Sequence, residues 1–155
     1  MTNVILISLV LLAVDQISKT IVTKLIDINN GVEIIKNFFY LTYTHNTGAA
    51  FSILTGQRIL LILIAVAILI IIFNYIRKNK VEGKLDKLAF SLIIGGSLGN
   101  LLDRIVRGYV VDFIDVKIFG YDFPIFNLAD TFIVIGVFLL LIITLIRKED
   151  KHDNR

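Results

Sequence analysis

The stretch Ile59 to Phe73 reads ILLILIAVAILIIIF, without one polar residue, and stays mostly apolar to Ile76. A soluble helix keeps a polar face towards water; a helix apolar all round has its surroundings in lipid or in the middle of a large protein. At 155 residues this chain is one domain's length and cannot surround such a helix with protein. Roughly 20 apolar residues carry a helix across the bilayer core, so this segment predicts a membrane span over 58–76.

Three other stretches follow the same rule outward from it. Spans are expected over about 4–26, 85–106 and 127–146, the first interrupted by Asp15, Gln16 and Lys19. The composition agrees: 56% hydrophobic, 19% charged, mean hydropathy +0.82. The segment 4–26 is expected to be retained rather than cleaved. It carries charges inside the apolar run, lacks a basic residue before it and shows no small-x-small cleavage site. The chain is read as a single domain over 1–155.

Lysine and arginine set the expected orientation. Arg77, Lys78, Lys80, Lys84 and Lys87 lie between the second and third spans, and Arg147, Lys148, Lys151 and Arg155 follow the fourth. Both regions are expected in the cytoplasm, which puts both termini there and the connections 27–57 and 107–126 outside. Val32 to Tyr43, VEIIKNFFYLTY, is rich in β-branched and aromatic residues and predicts a small β element at the membrane surface. The second outer connection is read as a short interfacial segment, with the chain's only proline, Pro124, ahead of the fourth span.

Cysteine is absent, which excludes disulfides and thiolate chemistry, and neither His45 nor His152 lies near a second His or a Cys at ligand spacing. Neither a metal nor a cofactor is expected, and a net charge of +3 gives no reason to expect a nucleic-acid partner.

Ionisable groups in a membrane are expensive and tend to mark function. Asp15 and Lys19 stand one helical turn apart and can pair. Asn100, Asp103 and Arg104 share one face near the outer end of the third span, where Gly95 and Gly99 have the spacing that lets membrane helices approach closely. Asp112 stands in the apolar run Val110-Val111-Asp112-Phe113-Ile114, with Asp115 as a competitor. Asp130 also reads as the third residue of a helix capped by Asn127. Two carboxylates brought together in a low dielectric share a proton and can hydrolyse a peptide without metal or covalent intermediate. Residue chemistry leaves three arrangements open: a carboxylate hydrolase, a proton-coupled membrane transporter and a scaffold whose polar clusters are packing devices.

Five segments in order carry a resemblance: Asp15-Gln16-Ile17-Ser18-Lys19, Asn46-Thr47-Gly48-Ala49-Ala50-Phe51, Gly95 to Arg104, Val110-Val111-Asp112-Phe113 and Phe126-Asn127-Leu128-Ala129-Asp130. The chain resembles the lipoprotein signal peptidases, or signal peptidases II, over essentially its whole length. The resemblance implies an all-α membrane protein of four transmembrane helices with a small extracytoplasmic β-cradle, here about 32–54. It implies an aspartic endopeptidase of the bacterial plasma membrane, active near the outer surface. Its substrates would be diacylglyceryl-modified prolipoproteins, cut just before the lipidated cysteine. By matching positions, Asp112 and Asp130 would be catalytic, which sets Asp115 aside. Asn46, Gly48, Asn100, Asp103, Arg104, Asn127 and Ala129 would bind substrate or support the site, with Asp15 and Lys19 in a supporting role. A monomer is expected, with lipid and substrate as its partners. Phe123 stands where the family often has Trp, an aromatic-for-aromatic change.

Overall fold

The computed structural model describes residues 1–49, 53–118 and 121–153. Four long helices, α1 (Thr2–Leu25), α2 (Arg58–Asn79), α3 (Lys84–Val106) and α4 (Leu128–Asp153), are each long and apolar enough to cross a membrane. Between them lie β1 (Gly31–Ile35), β2 (Phe39–Asn46), β3 (Val110–Ile118) and the two-residue β4 (Tyr121–Asp122). The expected class, four membrane helices with a small β element, is therefore the observed one.

The least apolar helix is the central one. α3 packs against α1, α2 and α4, and its buried side includes Ala89, Ser91, Gly95, Gly96, Gly99 and Asn100. Without a hydrophobic drive between helices in lipid, close packing of small residues and internal hydrogen bonds must hold the bundle. A Cβ at Gly95 would meet Leu11 and the backbone of Ser8 on α1, and one at Gly99 would run into the Asp15 carboxylate. The two glycines thus allow α1 to lie against α3. Farther along, Ser8 Oγ donates to the Val4 and Ser91 carbonyls and Ser91 Oγ to those of Val4 and Lys87, tying the same two helices. Outward-facing α2 is buried only at Leu61 and Ile76, which explains why its sequence is apolar on every side.

The sheet is antiparallel in the order β1-β2-β3-β4. The second outer connection, expected as a short interfacial segment, supplies its nine-residue third strand. The alternation explains its placement: Val111 and Phe113 are buried against Val22 of α1, and successive strand residues face opposite sides. Asp112 is thereby directed away from that apolar cluster. Pairing of Thr44 with Asp112 and of Asn46 with Val110 brings the end of β2 alongside it. An isolated bridge between Ile114 and Phe126 then leads the chain into α4, and Phe123 packs edge-on to Phe126.

Candidate active site

The start of α4 is built first by its own residues. Asn127 Oδ1 accepts from the Asp130 backbone N–H at 3.0 Å, and Asp130 Oδ2 accepts from the Asn127 backbone N–H at 3.2 Å. This reciprocal cap satisfies two of the helix's otherwise unpaired donors. The capping role open to Asp130 in the sequence is thus real, and it leaves Asp130 Oδ1 for another partner. That partner is Asn100 of α3, whose Nδ2 donates to it at 2.7 Å.

Asp112 reaches the same cluster from the sheet. Its Oδ1 accepts from Asn127 Nδ2 at 2.6 Å and its Oδ2 from Asn46 Nδ2 at 2.8 Å. Asn127 Nδ2 also reaches Asn100 Oδ1 at 3.2 Å. A continuous chain of hydrogen bonds therefore runs Asp112–Asn127–Asn100–Asp130, linking β3 to α4 through α3. Asp112 is 3% exposed. Burial pushes its carboxyl up to about 6, the neighbouring Asp130 charge pushes the same way, and the amides of Asn46 and Asn127 oppose them.

Beneath this pair lies a charged layer that is completely enclosed. Lys19 Nζ contacts Asp15 Oδ2 and Asp103 Oδ2, both at 2.9 Å, and donates to Asn100 Oδ1 at 3.1 Å. Lys19, Asp15 and Asp103 are 0% exposed. An ammonium has three N–H donors, and all three are used. Asp15 Oδ1 accepts from the Ala129 backbone N–H at 3.0 Å, so α1 also helps to cap α4. Asp103 is held further by Arg107 Nε at 3.2 Å and accepts from the Val111 backbone N–H at 3.3 Å. It thus joins α3 to the strand that carries Asp112.

Arg104 and Gly48 form the remaining wall. Arg104 Nη2 donates to the Gly48 carbonyl at 2.7 Å, while the Gly48 N–H donates to Asn46 Oδ1 at 2.9 Å. That second bond turns the Asn46 amide so that its NH₂ group faces Asp112. Ala50 and Phe51, which complete the motif around Gly48, lie outside the described residues.

The eleven residues that the resemblance assigns to the site are in this network or covalently next to it. Asp115 stands apart from it: its Oδ2 accepts from Thr42 Oγ1 at 2.9 Å. Two contributors escaped the sequence reading. Gln16 Nε2 reaches Asp15 Oδ2, the Gly99 carbonyl and Asp103 Oδ1, and Arg107 pairs with Asp103. A signal for each was present, since Gln16 interrupts an apolar run and Arg107 lies one turn after Asp103.

Such an arrangement suits proton transfer: two carboxylates in a low dielectric, each oriented by amides and neither paired directly with a cation among the described residues. Comparison with known proteins places the chain among similar sequences and structures. A family model described as signal peptidase (SPase) II matches residues 7–146. The lipoprotein signal peptidase of Staphylococcus aureus is 41% identical over 150 residues, covering 97% of this chain and 92% of that one. Its counterpart in Haemophilus ducreyi is also 41% identical, covering 94% and 92%. A bacterial membrane enzyme solved in meso superposes with a TM-score of 0.90 at 39% identity, covering 97% of this chain and 92% of that one.

Proposed function

The chain belongs to the signal peptidase II family, and from that membership we propose that it is an aspartic endopeptidase removing signal peptides from diacylglyceryl-modified prolipoproteins. Asp112 and Asp130 act as the catalytic pair, and cleavage falls just before the lipidated cysteine. The observation that carries the reading is the hydrogen-bond chain from Asp112 through Asn127 and Asn100 to Asp130.

The chemistry follows from the shared proton. One carboxylate takes a proton from water as its oxygen attacks the scissile carbonyl carbon, while the protonated partner donates to the carbonyl oxygen. Collapse of the tetrahedral intermediate breaks the C–N bond: the carboxyl that took the water's proton gives it to the leaving amine, and the partner takes back the proton it lent to the carbonyl oxygen, which restores the shared-proton pair. The three asparagine amides keep the carboxylates in position without neutralising them, as a charged partner would. The capped start of α4 gives Asp130 a fixed backbone, and β3 does the same for Asp112.

Location supports the same reading. Nine of the sixteen Lys and Arg residues lie around the α2–α3 connection and in the last turns of α4 or beyond, at the opposite end of the helices from Asp112 and Asp130, against six at the Asp112 and Asp130 end. With both termini in the cytoplasm, the pair sits at the outer surface, where a lipid-anchored cysteine and its diacyl chains can remain in the bilayer. Residues 1–155 act as one domain, as a monomer, with no cofactor.

Purified protein in lipid nanodiscs, given a diacylglyceryl lipopeptide spanning the cleavage site, is expected to cut it, and Asp112→Asn and Asp130→Asn are each expected to abolish cutting while staying folded. Normal turnover by either variant would refute the pair. Failure of the wild-type chain on that substrate would refute the substrate assignment.

A further inference from the structure

At the other end of the bundle, α2 and α4 both lie on α3 but leave a cleft of about 520 Å³ between them. Its interior is apolar, formed by Ile72 of α2, Phe90 of α3 and Leu140 of α4. Its mouth is polar and carries Tyr75, Lys80 and Arg147. Arg147 grips Asp86 with both terminal nitrogens, yet its side chain is 60% exposed. A guanidinium has five N–H donors, so this pair leaves others for a further acceptor. Lys80 caps α2 in the left-handed conformation (φ 45°), which places its side chain at the mouth, and it makes no ion pair among the described residues. The stretches 77–87 and 147–151, to which Lys80 and Arg147 belong, together hold eight Lys and Arg against four Asp and Glu in the sequence.

We infer that this cleft binds one anionic phospholipid, with an acyl chain lying between α2 and α4 and the phosphate at Lys80 and Arg147. Two properties select that occupant. An apolar interior facing hydrocarbon suits an acyl chain, and a free phosphate would leave it unfilled. The lining itself balances Lys80 and Arg147 against Glu82 and Asp86, but Asp86 is taken up by Arg147 and the stretches around the mouth are net positive, which disfavours a headgroup carrying its own cation and favours a net negative one. The site is independent of the peptidase reading, because it lies away from Asp112 and Asp130. It also has a mechanical consequence: α2 joins the bundle mainly through α3, so a lipid wedged against α4 gives it a second support.

Full-length protein stripped of lipid in a neutral detergent, titrated with phosphatidylglycerol or phosphatidylcholine of matched chains, tests this by native mass spectrometry and thermal melting. One phosphatidylglycerol is expected to be retained where phosphatidylcholine is lost, and to raise the melting temperature. Lys80→Gln is expected to weaken retention about fivefold, the effect of one basic residue on an anionic lipid. Leu140→Trp, which fills the apolar interior, is expected to abolish it, and Lys36→Gln, on the turn between β1 and β2, to leave it unchanged. Inorganic phosphate at millimolar concentration should not displace the lipid. Equal retention of the two lipids, or equal effects of Lys80→Gln and Lys36→Gln, would mean annular lipid only and would overturn the proposal. Should Leu140→Trp melt below the wild type, the Lys80→Gln comparison alone decides.

Discussion

Lys19 Nζ donates to Asn100 Oδ1 at 3.1 Å, and this bond, with that from Asn127 Nδ2 to the same oxygen, determines which way the Asn100 amide faces. With its oxygen turned to the ammonium, the amide must present its NH₂ group to Asp130, 2.7 Å away. A fully buried cation on α1 therefore orients a donor on α3 towards a carboxylate on α4, without touching that carboxylate itself.

Asn100→Asp tests the consequence. The replacement has the same shape but puts an acceptor where Asp130 needs a donor. We expect kcat/KM on a diacylglyceryl lipopeptide to fall by about 10²-fold or more, the usual effect of removing one preorganised donor. The melting temperature in detergent should change by only a few degrees, because Lys19 can still pair with the new carboxylate. Activity within a factor of a few of wild type would show that the amide orientation is irrelevant.

Lys19 itself should behave as a folding residue. Lys19→Met leaves Asp15 and Asp103 buried without their shared counterion. Removing one member of a buried ion pair costs about 3–5 kcal/mol, since the remaining charge keeps its desolvation penalty. The expected result is a large drop in melting temperature and in the yield of inserted protein. Adding Asp103→Asn to Lys19→Met should recover part of the loss. If the single variant melted with the wild type, the enclosed charge layer would have no structural role.

The extent to which these features could be read from the sequence varies from residue to residue. The bundle was legible because Ile59–Phe73 admits no other solvent than lipid. Strand β2 was legible because its residues are β-branched and aromatic. Strand β3 was not: Val111 and Phe113 look like interfacial apolar residues until Val22 of α1 is seen against them. The two-fold role of Asp130 was visible as an ambiguity, cap or carboxylate, and the geometry supports both at once. Gln16 was missed because its partners come from α3, more than eighty residues away. The order of the residues alone could not bring Asp112 and Asp130 together, since their link depends on the alternation of β3 and on the Asn127 amide.

Asp115→Asn addresses the competitor directly. Asp115 bonds to Thr42 on the sheet, and an asparagine oxygen can accept the same hydroxyl. Cleavage is expected to stay within about twofold of wild type and stability within about 0.5 kcal/mol, as for a surface change that keeps its hydrogen bond. Loss of activity comparable with that of Asp112→Asn would move the catalytic assignment to Asp115.

The raised titration of Asp112 predicts a dependence of stability on pH. Its carboxyl titrates near 6 in the fold against 3.8 as its ordinary value, so the folded state binds the proton more tightly. The resulting stabilisation is fully present below about pH 3.8 and is lost as pH rises through about 6, where a buried group must ionise. A shift of this size corresponds to about 3 kcal/mol at most. Asp112→Asn cannot titrate, so the difference between variant and wild type cancels the other groups' contributions. Melting temperatures of the two proteins from pH 4 to pH 8 should diverge in the variant's favour as pH rises, even if Asn127 and Asn46 lose an acceptor and the variant is the weaker one at pH 4. Curves that run parallel across that range would mean that Asp112 carries no such burden, and that its carboxyl is not held in the low-dielectric setting that sharing a proton requires.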